Sequence, residues 1–247
     1  MVGPLAAVGA GEFLEGMVEV DRYLMAQCQA VGPAKVLILP TASAPEGDDV
    51  FWRWGSMGVE HFERLGAAPE VLPVRVRDDA SDPALVARVG QADFIYFSGG
   101  SPRVLLDAIA DTPLWGAIEE AWARGAALAG CSAGAIVLGE MSRAFRAAPG
   151  SANAFAPALG LIPGTIILPH FDRWPLERRQ PVREEMPADV LMVGIDEHTA
   201  LVWGEGRWRA MGRSAVTVWA VDSLTRYVHG HEVPLAPPRV GEGHVVP

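Results

Sequence analysis

At 247 residues, half of them hydrophobic, the chain is long enough for one large α/β domain or two small ones, and apolar enough to bury a substantial core. Its formal net charge of −10 argues against a nucleic-acid-binding surface, which needs a basic footprint. The two cysteines, Cys28 and Cys131, imply neither a disulfide framework nor a metal pair, and no apolar run approaches the roughly 18–20 residues of a membrane span. The N-terminus has no basic leader region, so no signal peptide and a cytoplasmic location are expected.

In chain order, Pro4 to Val8 reads as a short apolar strand ending in Gly9-Ala10-Gly11-Glu12. Met17 to Ala30 spaces Val20, Leu24 and Cys28 as a helix does. Lys35 to Leu39 is a buried strand closed by Pro40, with the small-residue loop Thr41-Ala42-Ser43-Ala44 at its carboxyl end. Phe51 to Leu65 reads as a helix, Val71 to Val76 as a third strand, and Pro83 to Gly90 as a short helix capped by Asp82. Asp93 to Phe97 is a fourth strand, ending in Ser98-Gly99-Gly100-Ser101-Pro102. Helices follow near Val104–Ala110 and Pro113–Arg124, the second with Thr112 as cap and Pro113 at its first position. Ala126 to Ala129 is the fifth strand.

Gly130-Cys131-Ser132-Ala133-Gly134 then spells G-x-S-x-G, followed by the unbroken apolar segment Ala135 to Leu138. This is the strand–turn–helix setting of a nucleophile elbow, which thrusts the serine out on a strained crest. The N–H of Ala133, at a helix N-terminus, can stabilise an oxyanion. Cys131, one residue before the crest, should point into the core as a small hydrophobe. Beyond Gly139 the pattern loosens, and Arg143 to Gly164 reads as an irregular excursion. Thr165 to Leu168 is a strand ending in Pro169-His170-Phe171-Asp172, and Pro175 to Glu185 a charged loop with a short helix. Val190–Ile195, Thr199–Trp203, Trp208–Met211 and Ala215–Val221 are strand-like, and their short links imply antiparallel hairpins.

The alternation of strands and helices predicts an α/β fold, a mostly parallel sheet with helices on both faces and antiparallel strands near the C-terminus, in one domain over residues 1–247. Ligands bind such sheets beyond the carboxyl ends of the strands. The loops Gly9–Glu12, Thr41–Ala44 and Ser98–Pro102 share that edge with the elbow.

A serine nucleophile needs a base, and the base an orienting acid. Of the six histidines, His170 is best placed, because it follows an apolar strand at the same edge. Three acids are candidates: Asp196, Glu197 and Asp172. Adjacent side chains on an extended segment point to opposite sides, so only one of Asp196 and Glu197 can face His170. An α/β-hydrolase runs Ser, acid, His along the chain. That reading would need Asp196 followed by His229, His231 or His244, in a Pro/Gly-rich tail. A dinucleotide-binding reading fails on Gly9-Ala10-Gly11, whose third glycine position is Leu14. The histidines do not cluster with carboxylates at ligand spacing, so no metal and no cofactor is expected.

Taken together, Pro40-Thr41-Ala42-Ser43, Phe97-Ser98-Gly99-Gly100, Ala129-Gly130-Cys131-Ser132-Ala133-Gly134-Ala135, His170-Phe171 and Gly194-Ile195-Asp196-Glu197-His198-Thr199-Ala200 resemble the peptidase E and cyanophycinase group of serine peptidases. The resemblance covers most of the chain and implies a flavodoxin-like, class I glutamine amidotransferase-like fold. It implies Ser132 as nucleophile, His170 as base and Glu197 as orienting acid. It also implies a second oxyanion N–H from Gly99 or Gly100, beside Ala133. The implied reaction is acyl transfer from a small peptide or isopeptide to Ser132, then hydrolysis. Ser101 and Pro102 depart from the group's usual polar pair after Gly-Gly, so recognition at that edge must differ. Ser101, Arg173, Arg178 and Arg179 are the candidate substrate-binding residues, the arginines as bidentate partners for a carboxylate, or equally as a solvated charged face. Partners would be a small substrate, no nucleic acid and no membrane, with a homodimer suggested by the resemblance and the apolar composition. An α/β-hydrolase esterase and a catalytically silent ligand-binding relative are the competing readings.

Overall fold

The computed structural model describes residues 2–28, 30–143 and 155–239. Strands and helices alternate up to the elbow: β1 (Leu5–Val8), α1 (Val18–Gln27), β2 (Lys35–Leu39), α2 (Asp48–Arg64), β3 (Ala68–Val71), α3 (Pro83–Val89), β4 (Phe94–Phe97), α4 (Pro102–Ile109), α5 (Pro113–Ala123) and β5 (Ala127–Cys131). Then come α6 (Ala133–Leu138), β6 (Gly139–Arg143), β7 (Phe155–Pro157), β8 (Ile162–Pro169), α7 (Leu176–Glu185) and β9 (Leu191–Ile195). The chain closes with β10 (Thr199–Gly204), β11 (Arg207–Gly212), β12 (Ala215–Trp219), β13 (Leu224–Val228) and β14 (Glu232–Val233). The expected caps are in place: the Asp82 side chain accepts from Ala84 N–H at 2.8 Å, and Thr112 Oγ1 from Trp115 N–H at 3.3 Å.

Eight strands form the main sheet in the order β14-β11-β10-β1-β5-β4-β2-β3. From β1 to β3 neighbours are parallel, and β10, β11 and β14 add an antiparallel flank. This is the expected α/β architecture. A second, six-stranded sheet runs β13-β12-β9-β8-β6-β7, with β6, β8 and β9 parallel to one another.

Side-chain alternation builds the layers. On β4, Phe94 and Tyr96 face α1 and α2, where they pack with Val20, Leu24 and Phe62. Ile95 and Phe97 face the opposite way, into a core shared with Leu105, Ile118 and Trp122 of the α4 and α5 helices. That same core takes in Ile167, Val193, Ile195 and Val216 from one face of the second sheet. The sheet's other face, Ile166, Leu168 and Met192, is covered by Phe171, Val182 and Met186. The order across the molecule is therefore helices, main sheet, helices with the second sheet, and α7.

Three expectations change. The third strand lies at Ala68–Val71, not Val71–Val76. It pairs only with β2, as an edge strand, so its burial is too weak for an apolar run to mark it. Leu72 N–H still reaches Ile38 O, but Pro73 has no N–H to continue the ladder. Of the expected C-terminal hairpins only β10–β11 forms; the links β9–β10 and β11–β12 carry the chain between sheets, and β12 pairs instead with β9 and with β13, a strand the sequence reading did not mark. Residues 144–154 of the expected excursion, and His244, lie outside the described residues; β6 and β7, on either side of the former, pair antiparallel. Among the described residues no helix is long and apolar enough to cross a membrane.

Candidate active site

The elbow follows from two close approaches. A Cβ on Gly130 would lie 2.3 Å from the Gly134 carbonyl oxygen, and one on Gly134 would lie 2.5 Å from that of Phe97. Only hydrogen fits at either Cα, so α6 can start directly above the ends of β4 and β5. The turn between them puts Ser132 at φ 50°, ψ −107°. L residues rarely adopt that conformation, and it costs on the order of 1–3 kcal/mol. Of the six non-glycine residues with positive φ among those described, Phe13, Ser132, His170 and His198 all sit in loops around this edge. Strain is concentrated at the site, as functional loops commonly show.

His170 follows β8 at φ 143° and brings Nε2 to 2.7 Å from Ser132 Oγ. The next residue fixes the turn. Phe171 is 1 % exposed, and its ring packs against Gly194 of β9, where a Cβ would sit 2.2 Å from Phe171 Cγ. The turn bearing the histidine is thus pressed onto the strand that leads to the acid. His170 Nδ1 lies 3.3 Å from Glu197 Oε1. The bond is on the long side, as catalytic hydrogen bonds often are without substrate.

Glu197 is held from three directions. Its Oε2 accepts from Arg173 Nε–H at 3.1 Å and from the terminal N–H at 3.0 Å, and its backbone N–H donates to Asp172 Oδ1 at 3.0 Å. The Arg173 hydrogen bonds, and then that of His170, hold its carboxyl below the usual glutamate range. The other two candidate acids have different partners. Asp196 is 2 % exposed and turned away, its Oδ2 accepting from Ser214 Oγ–H, Ala215 N–H and Arg226. Asp172 holds the backbone of Glu197 rather than the imidazole. His229, a tail histidine of the esterase reading, is bound elsewhere: its Nδ1 accepts from Gly212 N–H at 3.2 Å.

Behind the elbow, Glu12 from the loop after β1 is buried. Its Oε1 accepts from Gly99 N–H at 3.0 Å and its Oε2 from the Cys131 thiol at 2.9 Å. Burial, and next the Glu12 charge, push the Cys131 thiol well up, so it stays protonated and donates. Gly100 N–H makes no hydrogen bond among the described residues. No group of three or more His, Cys, Asp or Glu side chains able to hold a metal occurs among them either.

Residues 5–211 match peptidase family S51. The chain belongs to that family. Its similarity to known proteins runs nearly end to end. A cyanophycinase of Synechococcus elongatus is 31% identical over 239 residues, which span 92% of this chain and 71% of that protein. The crystal structure of a peptidase from an acI-B1 Actinobacterium superposes with a TM-score of 0.85 at 34% identity, covering 94% of this chain and 97% of that one. A putative peptidase E protein from Listeria monocytogenes EGD-e shares the fold, with a TM-score of 0.59 at 20% identity, over 87% of this chain and 100% of that one. This S51 chain is accordingly an enzyme, a hydrolase of the serine peptidase class.

The peptidase's candidate substrate-binding residues are mostly engaged within the chain. Ser101 Oγ caps α4, accepting from Val104 N–H at 3.4 Å, and Pro102 opens that helix, where a missing N–H costs nothing. Arg173 grips Glu197. Arg179 donates to the Trp174 and Phe171 carbonyls and stacks over the Phe171 ring at 4.1 Å. Arg178 is exposed on α7 and has no side-chain partner among the described residues. Sequence reasoning missed two contributors, Glu12 and the grip of Arg173 on the acid. The available signal for Glu12 was a lone carboxyl at the end of the Gly9-Ala10-Gly11 loop that follows a buried strand.

Proposed function

We propose that the enzyme cleaves small peptides or isopeptide-linked, cyanophycin-like substrates through an acyl-enzyme on Ser132. One observation carries the reading: the continuous line of hydrogen bonds from Ser132 Oγ through His170 to Glu197, starting from a strained serine at the sheet's carboxyl edge. In this reading the Ser132 hydroxyl gives its proton to His170 Nε2 as Oγ attacks the scissile carbonyl carbon. Glu197 holds the imidazole by its Nδ1–H and balances the charge that forms on it. The oxyanion is received by the N–H of Ala133, which α6 leaves without an intrahelical partner, and by that of Gly100. Gly99, the other candidate donor, already donates to Glu12. His170 then passes the proton to the leaving amine, and water, deprotonated by His170, releases the acyl group and restores Ser132.

The test is labelling of the protein with a fluorophosphonate probe, read by intact mass, beside Ser132→Ala. One adduct on the wild type and none on the variant is the expected result. A folded wild-type protein that takes up no probe would favour the silent, ligand-binding reading. Aspartyl dipeptides and β-linked aspartyl-arginine are the first substrates to assay.

A further inference from the structure

Glu12 has no part in the proton path just described, yet it touches both walls of the nucleophile. Its carboxyl group is buried, and its two oxygens go to two different segments, the loop after β4 and the end of β5. One takes the backbone N–H of Gly99, in the loop after β4; the other takes the thiol of Cys131, the residue before Ser132. A buried carboxyl is costly unless its oxygens are satisfied, and here both are satisfied at the nucleophile's two flanks. The spacing leaves little slack. A Cβ on Gly99 would lie 2.9 Å from Glu12 Oε1 and 3.4 Å from Ser132 Cβ, so no side chain fits at Gly99 between Glu12 and Ser132. On the far side, a Cβ on Gly100 would lie 2.4 Å from the Ala42 carbonyl, and Gly100 has φ 136°. The Gly99–Gly100 peptide is therefore wedged between the β2 loop and the elbow, with its entry fixed by one side-chain acceptor.

We propose that Glu12 is a positioning residue for the oxyanion hole: by holding Gly99 N–H away from the substrate side and tying it to Cys131, it aims the Gly100 N–H at the oxygen that becomes negative when Ser132 attacks. The inference rests on the acyl-enzyme reading above. It predicts a defect in the rate of reaction at Ser132, because the hydrogen bonds of Glu12 go to the two flanks of the nucleophile and, among the described residues, none goes to His170 or Glu197. Cys131 serves as the second anchor, and its thiol, protonated and pointing inward, is not a second nucleophile.

The experiment is the second-order rate of fluorophosphonate labelling between pH 5 and 9 for wild type, Glu12→Asp and Glu12→Gln. The phosphonyl oxygen of the probe occupies the place of the oxyanion. Aspartate keeps the charge but is one methylene too short to reach both Gly99 and Cys131. Labelling should slow by about tenfold or more, a misplacement effect, with the shape of the pH profile unchanged. Glutamine keeps the reach and an acceptor oxygen for Gly99 N–H, and its amide can donate to the Cys131 sulfur. It should retain the labelling rate within about threefold, a rescue that a mere requirement for charge would not give. Glu12→Asp labelling at the wild-type rate, Glu12→Gln as slow as Glu12→Asp, or a shifted pH midpoint in Glu12→Asp, which keeps the charge, would overturn the proposal. Absence of any adduct on the wild type would instead overturn the acyl-enzyme reading, and this inference with it.

Discussion

Glu197 and Asp196 are neighbours with opposite tasks, and the division follows from the alternation of an extended segment. Asp196 turns inward to Ser214, Ala215 and Arg226, where it ties the start of β12 to the end of β9. Glu197 turns outward to His170 and Arg173. Residues 170 to 173 supply the imidazole, the carboxyl that holds the Glu197 backbone, and the guanidinium that holds its side chain. Arg173 is the larger cause of the lowered pKa of Glu197, so Arg173→Gln should move the Glu197 titration up toward the unperturbed value of about 4.3. The sign for stability follows. A carboxyl whose native pKa is depressed adds stability above its unfolded pKa and loses it as pH falls through the native one. The denaturant midpoint of Arg173→Gln should therefore lie below that of wild type at neutral pH, with the gap closing as pH falls below about 4. Carboxyl 13C NMR reads the titration directly; an unmoved Glu197 midpoint in the variant would refute the assignment.

The elements were legible wherever periodicity and caps agreed. β2 and the helices capped by Asp82 and Thr112 fall where the residues place them, because local burial and local hydrogen bonds decide them. β3 was displaced because an edge strand with one partner carries a weak apolar signal. The irregular reading beyond Gly139 missed β6 and β7, strands of the second sheet that are short and only partly buried. Between β8 and β9 the decisive contact is a ring on a glycine. Gly194→Ala would drive a methyl group into Phe171, which must move and take the His170 turn with it. The expected outcome is a loss of about 1–3 kcal/mol in denaturant unfolding, as for overpacked cores. Fluorophosphonate labelling of Ser132 should fall by about tenfold or more, since small displacements of catalytic groups are expensive in rate. A variant that lost stability but labelled normally would show that Phe171 packs without positioning His170.

At the scale of the whole molecule, the site is a meeting of two sheets. Ser132 and the glycine loop come from the carboxyl ends of β5 and β4 in the main sheet; His170 and Glu197 come from those of β8 and β9 in the second. The core between them is common to both. Ile167→Ala, at a fully buried position on the inner face of β8, should cost about 2–5 kcal/mol. If the two sheets unfold as one unit, circular dichroism and loss of Ser132 labelling should follow the same urea curve. Separate curves would mean that the second sheet can detach from the first. The sequence by itself determined the α/β alternation, the strand–turn–helix around Ser132, the histidine that comes to lie beside it and the short list of neighbouring acids. Each of these is written in a contiguous run, where turn chemistry and apolar spacing act over a few residues. Only the tertiary structure decided that β6 to β9 leave the main sheet, that Glu197 rather than Asp196 or Asp172 meets the imidazole, and that Glu12 occupies Gly99 and Cys131. Those outcomes depend on which strand edges pair and which loops touch across long stretches of chain, and no local pattern encodes that choice.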